Sequence, residues 1–145
     1  MIKYKFRKGA KICLDTMIFI YFFEEDENYF DCVYEIFKMI EEGKLKACTS
    51  VVSFLEIMVG VYKSGEDETK YIKALQTLPN FEIIDLNQEI SIISAKIRAK
   101  YKFKVPDSIL LATSITSNCD VFLTNDEELK KFKGEVKVLT LSDLC

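Results

Sequence analysis

Four carboxylates, Asp15, Glu56, Asp107 and Asp126, stand where short apolar runs end or helical periods begin. Asp15 directly follows the run Lys11–Leu14, and Asp126 follows Asp120–Leu123 after a Thr124-Asn125 step. Glu56 is about two turns into the helical period that leaves Leu45–Cys48, and Asp107 follows Pro106 in the first turn of another helix. Singly, Asp107 and Asp126 fit acids at helix N-termini, and Glu56 fits the last position of a capping box begun by Ser53. Asp15 gains little structurally from its place between an apolar strand and the apolar stretch Met17–Phe23. Gathered together, the four would repel and drive at least one towards protonation unless a cation joined them. Hard oxygen ligands suit Mg²⁺ or Mn²⁺, which bind through a few carboxylates, waters and substrate phosphates. Such an ion polarises a phosphoryl oxygen and acidifies an attacking water, so the chemistry implied is phosphodiester hydrolysis.

The chain has no histidine. Serine or cysteine triads that use imidazole, histidine-containing zinc sites and a histidine general base are therefore excluded. Carboxylates, lysines, cysteines or a hard metal must carry any catalysis.

Positioning the four acids at one place requires a particular set of elements. Five short β-type runs are present: Lys11–Leu14, Leu45–Cys48, Phe81–Ile84, Asp120–Leu123 and Val136–Leu139. Between them, Phe30, Val33, Phe37 and Ile40 form one buried helix face, with Asn28 as cap and Gly43 past the end. Val51, Leu55, Met58 and Tyr62 predict a second helix over 50–63, and Asp67 to Leu78 predicts a third before Pro79. Ile90, Ile93, Ile97 and Tyr101 mark a fourth, and a fifth runs from Pro106 to Asn118. The order β-α-α-β-α-α-β-α-α-β-α-β predicts an α/β fold of three layers around a parallel sheet, because parallel strands need long, usually helical crossovers. Ligands of such sheets lie beyond the carboxyl ends of the strands, where Asp15 and Asp126 both fall.

At 145 residues, 49% hydrophobic and 30% charged, the chain reads as one folded domain over 1–145 and not as a disordered or fibrous protein. Its net charge of −3 excludes a wholly basic nucleic-acid binder, so a polyanion would have to be held locally. Five cysteines, odd in number and without a CxxC pair, fit neither a complete disulfide set nor a metal clip, and point to a reducing cytoplasm. Cys13 and Cys48 lie in apolar runs and read as buried small hydrophobes. The longest uncharged run, Ser108 to Cys119, is well short of the ~18–20 residues of a membrane span.

Four segments together resemble the PIN domain family, which includes the VapC toxins of toxin–antitoxin pairs. They are Leu14-Asp15-Thr16, Ser53-Phe54-Leu55-Glu56, the stretch from Pro106-Asp107-Ser108 to Thr113, and Leu123-Thr124-Asn125-Asp126, in the family's order between about Ile12 and Leu139. The resemblance implies that Asp15, Glu56, Asp107 and Asp126 are metal-binding catalytic acids. By the same likeness Thr124 supplies a hydroxyl that orients a water or an acidic neighbour, and Thr16 does something similar beside Asp15. It implies a five-stranded parallel sheet of order 3-2-1-4-5, Mg²⁺- or Mn²⁺-dependent cleavage of single-stranded or structured RNA, frequent homodimers, and often a cognate antitoxin. Met17 departs from the small or polar residue common after the Asp-Thr pair. Two basic clusters, Lys3 to Lys11 and Lys96 to Lys104, read mainly as solvated surface, with Lys102 and Lys104 close enough to Asp107 to meet a phosphate backbone. Tyr21, Phe22 and Phe23 read chiefly as core, with base stacking as their alternative use. A phosphatase of the haloacid-dehalogenase type would need an acid where Met17 stands, and a receiver domain a lysine within Thr140-Leu141-Ser142. The alternative from a different class is a non-catalytic PIN-like scaffold that binds RNA or protein.

Overall fold

In the computed structural model, which describes residues 1–145, five strands form one all-parallel sheet of order β3-β2-β1-β4-β5. The strands are β1 (Lys11–Leu14), β2 (Lys46–Ser50), β3 (Phe81–Ile84), β4 (Val121–Thr124) and β5 (Lys137–Thr140). Seven helices connect and cover them: α1 (Thr16–Phe23), α2 (Phe30–Glu41), α3 (Val51–Ser64), α4 (Glu68–Thr77), α5 (Gln88–Tyr101), α6 (Val105–Thr116) and α7 (Leu141–Leu144). Both the α/β class and the strand order match the expectation from sequence.

Alternation along the strands divides the core in two. Ile12, Leu14, Ala47, Val121 and Leu123 pack on the side covered by α1 to α4, whereas Cys13, Cys48 and Phe122 pack on the side covered by α5 and α6. Because both faces are covered, the strands are nearly continuous apolar runs. That is why β1 and β3 were legible to the residue.

The other strands run one or two residues further than the apolar runs that announced them. Their last residues are polar but buried, and each has a hydrogen bond: the Thr49 hydroxyl donates to the Leu14 carbonyl at 2.7 Å, and Ser50 caps α3 by accepting from the Val52 amide at 3.1 Å. Ser50, not Ser53, is therefore the cap, and the capping box expected between Ser53 and Glu56 does not form. The predicted face of α3 is also rotated. Ser53, Ile57, Met58 and Val61 are buried, while Leu55 and Tyr62 are exposed at 61% and 62%.

There are three further differences. Asn28 does not cap α2; Asp26 holds that turn by accepting from the Asn28 and Tyr29 amides at 2.9 and 3.1 Å. The element after β4 is a 3₁₀ turn, Glu127–Lys131, and a short α7 follows β5. Finally, Cys32 and Cys145 are joined by a disulfide, leaving Cys13, Cys48 and Cys119 free and buried.

A candidate acidic site at the carboxyl edge of the sheet

The chain leaves β1 towards β2 on one side and returns to β4 on the other, so the neighbouring ends of β1 and β4 open a crevice at the point where strand order reverses. Asp15 sits at its rim. Its amide extends the sheet by donating to the Leu123 carbonyl at 2.9 Å. Its carboxylate caps α1, with Oδ1 accepting from the Thr16 amide at 2.7 Å and Oδ2 accepting from the Thr124 hydroxyl at 2.6 Å. Burial pushes the Asp15 carboxyl above its ordinary range; the two hydrogen bonds oppose that rise, and the Glu56 and Asp126 carboxylates add to it.

Thr124 is fully buried and joins two of the acids. Its hydroxyl donates to Asp15 and accepts from the Asp126 amide at 3.1 Å. Asp126 in turn caps the 3₁₀ turn, with Oδ1 accepting from the Glu128 amide at 3.0 Å. The structural role foreseen for Asp126 is thus present, beside its electrostatic influence on Asp15 and Asp107.

Glu56 reaches the same edge from α3. Its Oε1 accepts from the Thr16 hydroxyl at 2.7 Å, and the Ser53 hydroxyl lies 2.9 Å from the same Thr16 oxygen. One residue, Thr16, therefore touches two carboxylates, Asp15 through its amide and Glu56 through its side chain. Ser53, which the sequence offers as a cap and as the start of the family-like segment ending at Glu56, joins this group through Thr16 instead; it precedes Glu56 by three positions and so shares its helix face.

Asp107 enters from the first turn of α6, where Pro106 occupies the start of the helix. Half-buried, it is the one acid of the four whose carboxylate accepts no hydrogen bond from the chain. Its pKa is pushed up to about 6, first by burial and then by the Asp15 and Asp126 carboxylates, against a small opposing effect of Lys104. The N-terminus of α6 would favour a charged acid, so repulsion and burial outweigh the helix dipole here.

The four acids are electrostatic neighbours, yet no three of them close into a ready-made ligand cage. None takes part in any of the chain's salt bridges. Uncompensated charge on separate oxygen donors fits a Mg²⁺-like ion, which keeps several waters and binds through one or two carboxylates.

Other candidates fall elsewhere. Arg7 forms a paired contact with Asp120, at 2.9 and 2.8 Å, where β4 begins, so Arg7 lies at the opposite edge of the sheet, while the Lys3 amide donates to the Leu144 carbonyl of α7. Phe22 packs on Phe37 with ring centroids 4.8 Å apart and Phe23 on Tyr71 at 4.9 Å, which assigns them to packing. The Tyr21 hydroxyl accepts from Asn125 at 3.0 Å. Lys104 occupies the N-cap position of α6 without a capping bond from its side chain. Burial pushes the Cys13 thiol up, the opposite of an activated nucleophile.

The family model described as PIN domain matches residues 12–135. Among solved structures, a toxin–antitoxin complex from Klebsiella pneumoniae is 26% identical, with a TM-score of 0.72 over 90% of this chain and 97% of that one. The fold is shared with VapBC2 from Rickettsia felis bound to a DNA fragment from its promoter, 19% identical with a TM-score of 0.71 over 90% and 98% of the two chains. It is shared too with VapC20 from Mycobacterium tuberculosis, a sarcin–ricin loop cleaving toxin, at 9% identity and a TM-score of 0.67 over 87% and 98%. No match was found among curated proteins.

Proposed function

The chain belongs to the PIN domain family, and from that premise we propose that residues 1–145 act as a single metal-dependent endoribonuclease domain, the toxin of a toxin–antitoxin pair. The observation that carries this reading is the joint placement of Asp15, Glu56, Asp107 and Asp126 at one sheet edge with no salt bridge to any of them. Mg²⁺ or Mn²⁺ held there would supply a Lewis acid for the scissile phosphate and for an attacking water.

The chain's own residues then have distinct tasks. Thr124 and Thr16 hold the Asp15 carboxylate in one orientation. Asp107 offers oxygens that no protein donor occupies. Asp126 and Glu56 complete the negative lining, and Lys104, with Lys102 beside it, meets the phosphate backbone of the substrate. RNA, single-stranded or structured, is the substrate class supported by the family likeness and by the loop-cleaving activity in the description of VapC20. An RNA substrate supports a cytoplasmic location.

A cognate antitoxin is supported by the Klebsiella pneumoniae complex and by an apolar groove of about 640 Å³ lined by Phe22, Phe23, Tyr34, Phe37, Leu75 and Leu78. Leu55, Val59 and Tyr62, exposed along α3, suit contact with a second copy in a homodimer. The decisive experiment is incubation of purified protein with single-stranded and stem-loop RNA in Mg²⁺, Mn²⁺ or EDTA. Cleavage in either metal, abolished by EDTA and by Asp107→Asn, is the expected result. Cleavage that survives exhaustive chelation would overturn the mechanism. Absence of cleavage of any RNA, with retained RNA or protein binding, would favour the non-catalytic scaffold.

A further inference from the structure

Glu56 lies on an exposed part of α3, where packing does not select its rotamer. Its fixed contact is the Thr16 hydroxyl at 2.7 Å. That hydroxyl carries a single hydrogen but lies within bonding distance of two oxygens, Glu56 Oε1 and, at 2.9 Å, Ser53 Oγ. Both oxygens are placed to accept from it, so the one Thr16 hydrogen is shared between Glu56 and Ser53, and both contacts favour the same Thr16 rotamer. The three side chains form one small network.

Its two hydroxyls are well anchored. Ser53 is fully buried in the first turn of α3, and Thr16 is 7% exposed at the start of α1. The Thr16 amide simultaneously holds Asp15 Oδ1 at 2.7 Å. A rotation of Thr16 about its Cα–Cβ bond would leave the Asp15 contact intact while releasing Glu56, and the Ser53 hydrogen bond opposes that rotation.

We propose that Ser53 is a positioning residue of the acidic site: by fixing the Thr16 rotamer, it keeps the Thr16 hydroxyl on Glu56 Oε1 and so holds Glu56 at the edge where a cation would bind. The proposal rests on the cation-binding reading above. Outer hydrogen-bond partners of metal-ligating carboxylates commonly change metal affinity by about 10- to 100-fold, without touching the ion.

The test is a double-mutant cycle read by calorimetric titration of metal-free protein with Mn²⁺, accompanied by thermal melts. Ser53→Ala is expected to weaken Mn²⁺ binding by up to about tenfold, and Thr16→Val by about tenfold or more. The double variant is expected to bind no more weakly than Thr16→Val, because Ser53 has no route to Glu56 once the Thr16 hydroxyl is gone. Thr16→Ser, which keeps the hydroxyl, is expected to stay near the wild type. If Thr16→Val does not fold, Glu56→Ala takes its place in the cycle, and Ser53→Ala must again add nothing to it. Unchanged Mn²⁺ affinity in Ser53→Ala, with or without a lower melting temperature, would leave Ser53 a purely structural residue and overturn the proposal. Losses that multiply in the double variant would do the same. Wild-type protein that binds no Mn²⁺ would instead overturn the cation-binding reading itself, a result distinct from either.

Discussion

Asp107 is where the unbalanced charge of the site shows most clearly, since burial and three carboxylates raise its pKa to about 6. A carboxyl raised on folding contributes stability that is fully present below about pH 4 and is lost as pH rises through about 6. Asp107→Asn removes that dependence. In EDTA, the variant is expected to be at least as stable as the wild type at pH 8, with a smaller advantage at pH 5, as measured by urea unfolding midpoints. A wild type that instead gains on the variant as pH rises would show Asp107 acting as a helix-end charge and not as part of a repulsive cluster. Asp15, Asp107 and Asp126 were legible in the sequence because each adjoins a strand end or a helix start, and Glu56, further along α3, because it ends one of the four family-like segments. Ser53 was not, because a serine three residues before a glutamate reads equally well as a cap. Only the approach of α1 to α3 reveals that its partner is Thr16.

Elements were legible wherever burial imposes a period. β1 and β3 finish in apolar residues, whereas β2, β4 and β5 finish in Thr or Ser residues whose burial depends on neighbouring strands that a local reading cannot supply. The phase of α3 was misread for a related reason: its sequence is apolar on more than one face, so periodicity alone selects no side. This correction can be checked directly. Ile57, only 4% exposed, should lose about 2–5 kcal/mol on Ile57→Ala, while Leu55→Ala, at a residue 61% exposed, should fall within about 0.5 kcal/mol of the wild type in the monomer. Comparable losses at both positions in chemical denaturation would restore the phase first read from the sequence. The 3₁₀ turn after β4 escaped notice because five residues hold no helical period, yet its cap is Asp126 itself.

Across the whole molecule, the strand order sets β1 beside β4 and so brings Asp15 next to Thr124, 109 residues away in sequence. The Cys32–Cys145 disulfide, which an odd cysteine count gave no means of pairing, closes a separation of 113 residues and ties α7 to α2. Loops of that length lose roughly 4–5 kcal/mol of chain entropy from the unfolded state, and removal of a native disulfide costs about 2–5 kcal/mol. Dithiothreitol is therefore expected to lower the denaturation midpoint of the wild type, and Cys145→Ser to start lower and ignore the reductant; a midpoint indifferent to both would mean the pair contributes nothing to stability. The shared acidic edge is the claim on which the functional account depends, and a bound ion stabilises only the folded state, by about 2.7 kcal/mol at one hundred times its dissociation constant. Thermal melts of wild type and Asp15→Asn, each with EDTA and with saturating Mn²⁺, test it most directly. The account predicts a clear metal-induced rise in melting temperature for the wild type and a much smaller one for Asp15→Asn; equal rises in the two proteins would contradict it.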